Sequence, residues 1–533
     1  MLRLYAVRPP GIHKCAHIAL WRFRHHFLLP REGMFSVCLL VALLCVLNPS
    51  ILGAQSAPSG DQPVPTLRVT THLVQVHFIV QSKNGEPVTG LTKEDLTLLD
   101  EGRPQRIAVL SYKGGVQPAP TQPLPPNTFS NRHEPTSQLP GSVTVILLDA
   151  LNTPFTAQAY ARESILKVLG RLSPDDQVAL YILSSRLNVL QDFTQDHATL
   201  LEALDRYSGH YSLAQAGSSR EPVRTGNSVV DNDKGDESVT NYYMGRRIEL
   251  TSQAIIAIAN HLASVSGPKN LIWLSDSFPV SMSLTRILNQ IDMAVYPVDP
   301  CGLVAPFRMV SDCPIEPETE AMRGLAKLTG GRAFYNTNDV EGSVRTALDD
   351  RRSSYNLGYY PDHGKWDGEF REIKLKVNRP GLQVRLRNGY FAVPDRSPSR
   401  KDLPAVIEEA FMCPLESSGL GLTASVQLGP QRDEAIFSIK VDTHEMRLDD
   451  KAGHWRGSLK VIFRQLDANV RAVSSSEINL GLNLEKSTYA RAMRDGLEIT
   501  KQVVIAPRTK TLRVLVLDMA SGAIGTVSVP VRN

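Results

Sequence analysis

Residues 143–149 read VTVILLD, an apolar run closed by an aspartate. A continuous run, in place of strict alternation, is what a strand covered on both faces looks like. Similar runs return as QVALYIL from Gln177, LIWLS from Leu271 and AVYPVD from Ala294, and LNVLQDF from Leu187 reads as a further strand. Helically spaced segments lie between them. Residues 157–172 carry Ile165, Val168 and Leu169 on one stripe, and 197–207, 248–265, 284–291 and 318–328 follow. The last ends at Gly330 and Gly331, a helix C-cap signal. Strand, helix and strand repeated this way predict a mostly parallel, Rossmann-like sheet with helices on both faces, spanning residues 142–350. A Ser/Gly/Asp/Asn-rich stretch at 208–243 reads as a mobile insertion within it.

The flanks have a different period. From Leu67 the pattern LRVTTHLVQVHFIV alternates, and KEDLTLLDEGRPQRIAVL adds two short strands around a turn. This predicts a small all-β module over 66–113. Proline-rich sequence at 114–141 reads as a linker too polar to pack a core. Residues 351–395 read as a β-hairpin extension leaning on the α/β unit. Six alternating runs after Leu422, from LTASVQL to TVSVPV, predict an all-β sandwich over 420–533. The fold class is therefore multidomain, with a central α/β unit flanked by an N-terminal β module and a C-terminal β-sandwich.

Residues 1–57 read as a signal peptide or N-terminal anchor. Arg22, Arg24 and Arg31 precede an apolar run at 35–47, and GAQSAPSG follows from Gly53. The run is about a dozen residues, short of the roughly 20 that a membrane span needs. Met34 stands just before it as an alternative start. The leader is the part expected to contact the membrane, and the rest is expected in a secreted, periplasmic or cell-envelope location. There Cys301 and Cys313, which flank an 11-residue loop, are expected to form a disulfide, leaving Cys413 as a buried thiol. A formal net charge of +4, with no Lys/Arg block beside aromatics, argues against nucleic-acid binding. Nucleophile-elbow, phosphate-loop and dinucleotide fingerprints are all missing, so no catalytic residue is assigned and an enzyme is not expected.

Two strand ends carry aspartates, Asp149 and Asp276. On parallel strands both emerge at the same C-terminal edge. With hydroxyls from Thr153 and from Thr251 or Ser252 they offer an all-oxygen set of the kind that holds Mg²⁺, Mn²⁺ or Ca²⁺. Aspartates at strand ends also serve as plain caps.

VTVILLDALNT, SPDDQVALYILSSRLNVLQDFTQD and GPKNLIWLSDSF resemble the von Willebrand factor A domain. The wider chain, about residues 67–394, resembles the VWFA-related proteins of acidobacterial genomes. That resemblance implies a ligand-binding α/β domain with an Asp-x-Ser-x-Ser metal motif, a loop threonine and a distal aspartate. Asp149 matches the first aspartate, Thr153 the second hydroxyl, Thr251 the loop threonine and Asp276 the distal aspartate. Leu151 stands where the first serine belongs and cannot coordinate a cation, and Asn152 beside it offers an amide oxygen only if the loop rearranges. The resemblance implies a non-enzymatic interaction protein whose C-terminal rim meets a partner protein or envelope polymer. Two versions stay open, a degenerate divalent-metal rim and a rim that works without metal. The alternatives are an enzyme or accessory subunit acting on envelope polymers, and a purely structural envelope protein.

Overall fold

The computed structural model describes residues 73–112, 124–132, 143–174, 176–207, 224–225, 228–229, 233–265, 267–279, 281–302, 318–350, 354–394, 401–429 and 433–531. The expected leader at 1–57 lies outside them. All elements below belong to one compact unit, Thr71–Asn533.

Strands β1 (Val74–Ser82), β2 (Leu96–Asp100), β3 (Arg103–Gln105) and β4 (Ile107–Tyr112) come first, then β5 (Thr128–Ser130). The α/β unit begins with β6 (Val143–Asp149), α1 (Phe155–Leu169), β7 (Gln177–Leu183), β8 (Leu187–Thr194) and α2 (His197–Asp205). A two-residue pair, β9 (Arg224–Thr225) and β10 (Ser228–Val229), precedes the long helix α3 (Asp233–His261). The unit ends with β11 (Lys269–Leu274), α4 (Met282–Gln290), β12 (Met293–Val298), α5 (Thr319–Thr329) and α6 (Val340–Asp350).

Its sheet runs β12-β11-β6-β7-β8, with β8 alone antiparallel. Helices α3, α4 and α5 cover one face, packing Ile255, Ile258, Leu288 and Met322 against Leu147 and Trp273. Helices α1, α2 and α6 cover the other, packing Ile165, Leu169, Leu200 and Val344 against Ile146 and Leu180. Every residue of β6, β7 and β11 is buried, which explains their unbroken apolar sequences. Gly330 closes α5 at a left-handed φ of 87°, as its sequence signalled. Gly331 is needed for a second reason, because a Cβ there would overlap the Val295 carbonyl oxygen.

The 208–243 stretch is corrected in part. Residues from Asp233 onward belong to α3, which was expected to start at 248. Its first turns carry DKGDESVT, without an apolar stripe, so no helical period could announce them. The earlier part of the stretch, apart from β9 and β10, lies outside the described residues.

The flanking β segments also pair differently from expectation. Strands β13 (Ser354–Tyr359), β14 (Phe370–Val377), β15 (Leu382–Leu386) and β16 (Gly389–Phe391) follow the α/β unit. They complete two sheets with the first strands, in the orders β15-β1-β13-β4 and β16-β14-β2-β3. The 66–113 module and the 351–395 extension therefore form one β domain split by the α/β unit, around Val76, Phe78, Leu98, Leu357 and Tyr390. Period-two alternation shows that a segment is a strand but not that its neighbour lies more than 200 residues away.

After α7 (Leu403–Met412) come β17 (Leu422–Leu428), β18 (Glu434–Val441), β19 (Asp449–Lys451), β20 (His454–Leu466) and β21 (Ala472–Glu485). Helix α8 (Lys486–Asp495), β22 (Leu497–Val504), β23 (Thr511–Asp518) and β24 (Ile524–Pro530) complete the chain. The two sheets, β22-β18-β17-β5 and β19-β20-β23-β24 with β21 beside β20, enclose Phe437, Ile439, Val461, Phe463 and Val514. Strand β5 comes from the proline-rich stretch read as an unpacked linker. Asn131 just after it donates to the Ser417 and Leu420 carbonyls and accepts from Leu422 N, so this part of the stretch is fixed to the sandwich. Ser418 joins the sandwich to the end of α3, donating from its backbone to Asn260 O at 3.0 Å and from its hydroxyl to His261 O at 2.7 Å. Among the described residues no helix is long and apolar enough to cross a membrane.

Candidate functional site

From β6 the chain crosses to β7 on one side and later returns to β11 on the other. The strand order thus reverses at β6. Such a reversal opens a crevice at the carboxyl ends of the strands, the usual place for ligands on an open α/β sheet. The register sets Leu148 beside Leu274 and Leu274 beside Val298. Asp149, Asp276 and Asp299 therefore reach the same edge from three adjacent strands.

Asp149 is buried and its carboxylate is fully engaged by its own chain. Oδ1 accepts from Asn152 N at 2.9 Å. Oδ2 accepts from Asn152 Nδ2 at 2.8 Å, Trp273 Nε1 at 3.0 Å and Ser275 Oγ at 3.0 Å. Burial raises the Asp149 pKa, and the hydrogen bonds from Asn152, Trp273 and Ser275 offset only part of that rise.

Asn152 is the centre of this rim. Its Nδ2 also donates to Thr251 Oγ1 at 2.9 Å, and its Oδ1 accepts from Arg247 Nε at 2.8 Å. The two ends fix the amide orientation, since a carboxylate only accepts and a guanidinium only donates. Thr251, not Ser252, is the α3 hydroxyl that joins the network. Thr153 Oγ1 accepts from Asp276 N at 3.3 Å and so pins the β6 loop to the β11 loop. Gln158, from α1, holds that loop by donating to the Ala150 and Thr153 carbonyls.

Asp149, Asn152, Thr153, Thr251 and Asp276 are thus brought together, with Asp149 and Asn152 bonded to their own chain. N–H and O–H donors occupy the Asp149 oxygens, and the Asn152 oxygen faces a guanidinium. Leu151 is 1% exposed and packs in the core with Leu147 and Trp273, so the position lacking its serine points away from the rim. In this arrangement Asp276 lies with Asp299 and Cys301 in a group whose ligand atoms are within 4.8 Å of one another, whereas Asp149 and Asn152 offer no free oxygen to a directly coordinated divalent ion. The cation they hold is Arg247, whose terminal nitrogens make no hydrogen bond among the described residues.

A second acidic group lies beside it. Burial, with the neighbouring Asp299 and Glu318 carboxylates, pushes Asp276 up to about 7 against the opposing pull of Arg247. Burial raises Asp299 to about 6 despite a 2.8 Å hydrogen bond from Cys301 N. Glu318 accepts from Ser277 Oγ and Phe278 N, fixing the loop after β11. Cys301 Sγ lies 3.4 Å from Asp276 Oδ1. Its expected disulfide partner, Cys313, lies outside the described residues. Cys413 is a free thiol, partly buried against the α/β core.

Four rim residues escaped the sequence reading. Asp299 closes AVYPVD as Asp149 closes VTVILLD, so the signal that found Asp149 and Asp276 was available there too. Ser275 and Trp273 lie within LIWLS, where an apolar reading of the strand hid their polar atoms. Arg247 stands one residue before the expected helix start at 248, where an arginine carries no signal of a site.

No family model matches the chain, and no curated protein matches it. Solved structures similar to it include an aerotolerance-related membrane protein from Bacteroides fragilis, with 13% identity and a TM-score of 0.25 over 39% of this chain and 99% of that one. The hypothetical protein BatB from Bacteroides thetaiotaomicron has 13% identity and a TM-score of 0.25, over 40% and 98%. A von Willebrand factor type A protein from Catenulispora acidiphila has 10% identity and a TM-score of 0.22, over 80% and 74%. Overlaps this distant carry no argument by themselves. Strand order, the reversal at β6 and the sequence resemblance around Asp149 and Asp276 give the central unit its von Willebrand factor A-type fold.

Proposed function

We propose that this chain is an exported, non-enzymatic interaction protein whose A-type unit meets a partner protein or envelope polymer at its C-terminal rim. The observation that carries this reading is the collar of exposed apolar side chains around that rim. Phe155 starts α1 directly after the β6 loop, Met282 starts α4 after the β11 loop, and Tyr242, Met244 and Ile248 lie on the α3 segment that bears Arg247. Exposed aromatic and methionine side chains around a polar centre are the composition of a protein interface. The rim within that collar is preassembled, because Asn152 joins Asp149, Thr251 and Arg247 by direct hydrogen bonds. We assign recognition to the metal-independent version, with Arg247 as the fixed charge at the centre.

Site-specific photocrosslinking in the native envelope tests this. A crosslinking amino acid at Met282 or Tyr242 is expected to capture a discrete partner, and Arg247→Glu is expected to abolish the capture. Val470, exposed in the C-terminal sandwich, serves as the control position. No adduct at the rim positions, or the same adducts at Val470, would overturn the proposal.

A further inference from the structure

At the opposite end of the A-type sheet, where β1 and β15 of the split β domain pack against the starts of β11 and β12, lies a cavity of ≈ 30 Å³. At roughly 10–15 Å³ per water-sized occupant, it has room for about two. Its lining is charged and mostly buried. Lys269, Arg385 and Arg387 face Asp292 and Asp350, so cations outnumber carboxylates.

Both carboxylates are already taken. Asp292 pairs with His77 and with Arg387, 3.5 Å from Nη1; burial raises it, but its interactions with His77 and Arg387 outweigh that and hold it down to about 2. Asp350 pairs with Arg385. Lys269 Nζ donates to the Ile291 carbonyl at 3.0 Å, and the two Nη atoms of Arg387 donate to the Asn289 and Gln75 carbonyls.

Apart from His77 Nε2, and from Asp350 Oδ2 and Arg385 Nη2, which face each other in their ion pair, what remains is a set of donors. Asn270 Nδ2, Arg385 Nε and Arg387 Nε are buried N–H groups without an acceptor, and Asn270 and Arg387 are 3% and 6% exposed. Buried N–H groups are rarely left unpaired, so their convergence on one cavity calls for an occupant that accepts. Two waters could accept from these donors, but they would not balance the excess of positive charge. A small monovalent anion accepts from all of them and balances the excess of positive charge.

We propose that this cavity binds a chloride-sized inorganic anion, which fastens the split β domain to the A-type unit. Two measurements on the full chain test it. Crystals grown in bromide in place of chloride are expected to give an anomalous peak in the cavity. The melting temperature is expected to rise with the logarithm of chloride concentration when gluconate, too large to enter, holds ionic strength constant. Asn270→Asp replaces a donor with a carboxylate and is expected to remove both responses. If that variant does not fold, the bromide peak in the unaltered chain decides alone. Water in place of bromide, or a melting temperature indifferent to chloride, would overturn the assignment.

Discussion

Asp149→Ala separates a structural carboxylate from a metal ligand. The substitution removes the acceptor for four hydrogen bonds, but their donors do not suffer equally. Asn152 Nδ2 keeps Thr251 Oγ1 and Ser275 Oγ keeps the Ser277 carbonyl at 2.6 Å. Asn152 N and Trp273 Nε1 lose their acceptor in a buried site. Each orphaned donor costs about 1–3 kcal/mol, and release of a carboxylate that burial disfavours returns part of it, so the expected net loss is about 2–4 kcal/mol. Urea unfolding in EDTA measures this, in a chain where Trp21, Trp366 and Trp455 are replaced by phenylalanine so that Trp273 alone reports. A metal-ligand role predicts the reverse pattern, with little change in EDTA and loss of a Mg²⁺-dependent stabilisation. A loss below about 1 kcal/mol in EDTA, with Mg²⁺ stabilising the parent but not the variant, would refute the reasoning.

Leu151→Ser restores the missing hydroxyl of the metal motif, yet the side chain lies in the core. The variant is expected to lose about 2–4 kcal/mol in urea unfolding and to gain no Mg²⁺ binding by calorimetry. Asp276 and Asp299, raised to about 7 and about 6, favour the folded state when protonated. Their contribution is fully present below about pH 4 and is lost as pH rises through those values. Melting temperature in EDTA should therefore fall between about pH 5 and 8 by more in the parent than in Asp276→Asn, and the variant should be the more stable at pH 8. Arg247→Met removes the cation that opposes the Asp276 rise, so the Asp276 titration followed by carbon-13 NMR is expected to move upward.

Much of the α/β unit was legible because strands buried on both faces must be apolar throughout, and VTVILLD and LIWLS could be little else. The carboxylates at their ends were legible for the same reason, since an aspartate closing such a run reaches the C-terminal edge. What those carboxylates do there was not legible. Whether Asp149 faces a cation or its own chain depends on Trp273, Ser275 and Asn152, which converge only when the β6 and β11 loops fold together. Pairing between the two halves of the split β domain was hidden as well, because alternation in β1 and β13 carries no record of which strand lies beside which. Arg247 was hidden by the polar start of α3, whose position over the rim comes from packing of Leu250, Ala254 and Ile258 further along the helix.

Calorimetric titration of Mg²⁺, Mn²⁺ and Ca²⁺ into the chain tests most directly whether the rim is complete with its own guanidinium. No saturable heat is expected with any of the three, in the parent or in Arg247→Met. One-to-one binding in the parent that disappears in Asp149→Ala would contradict it.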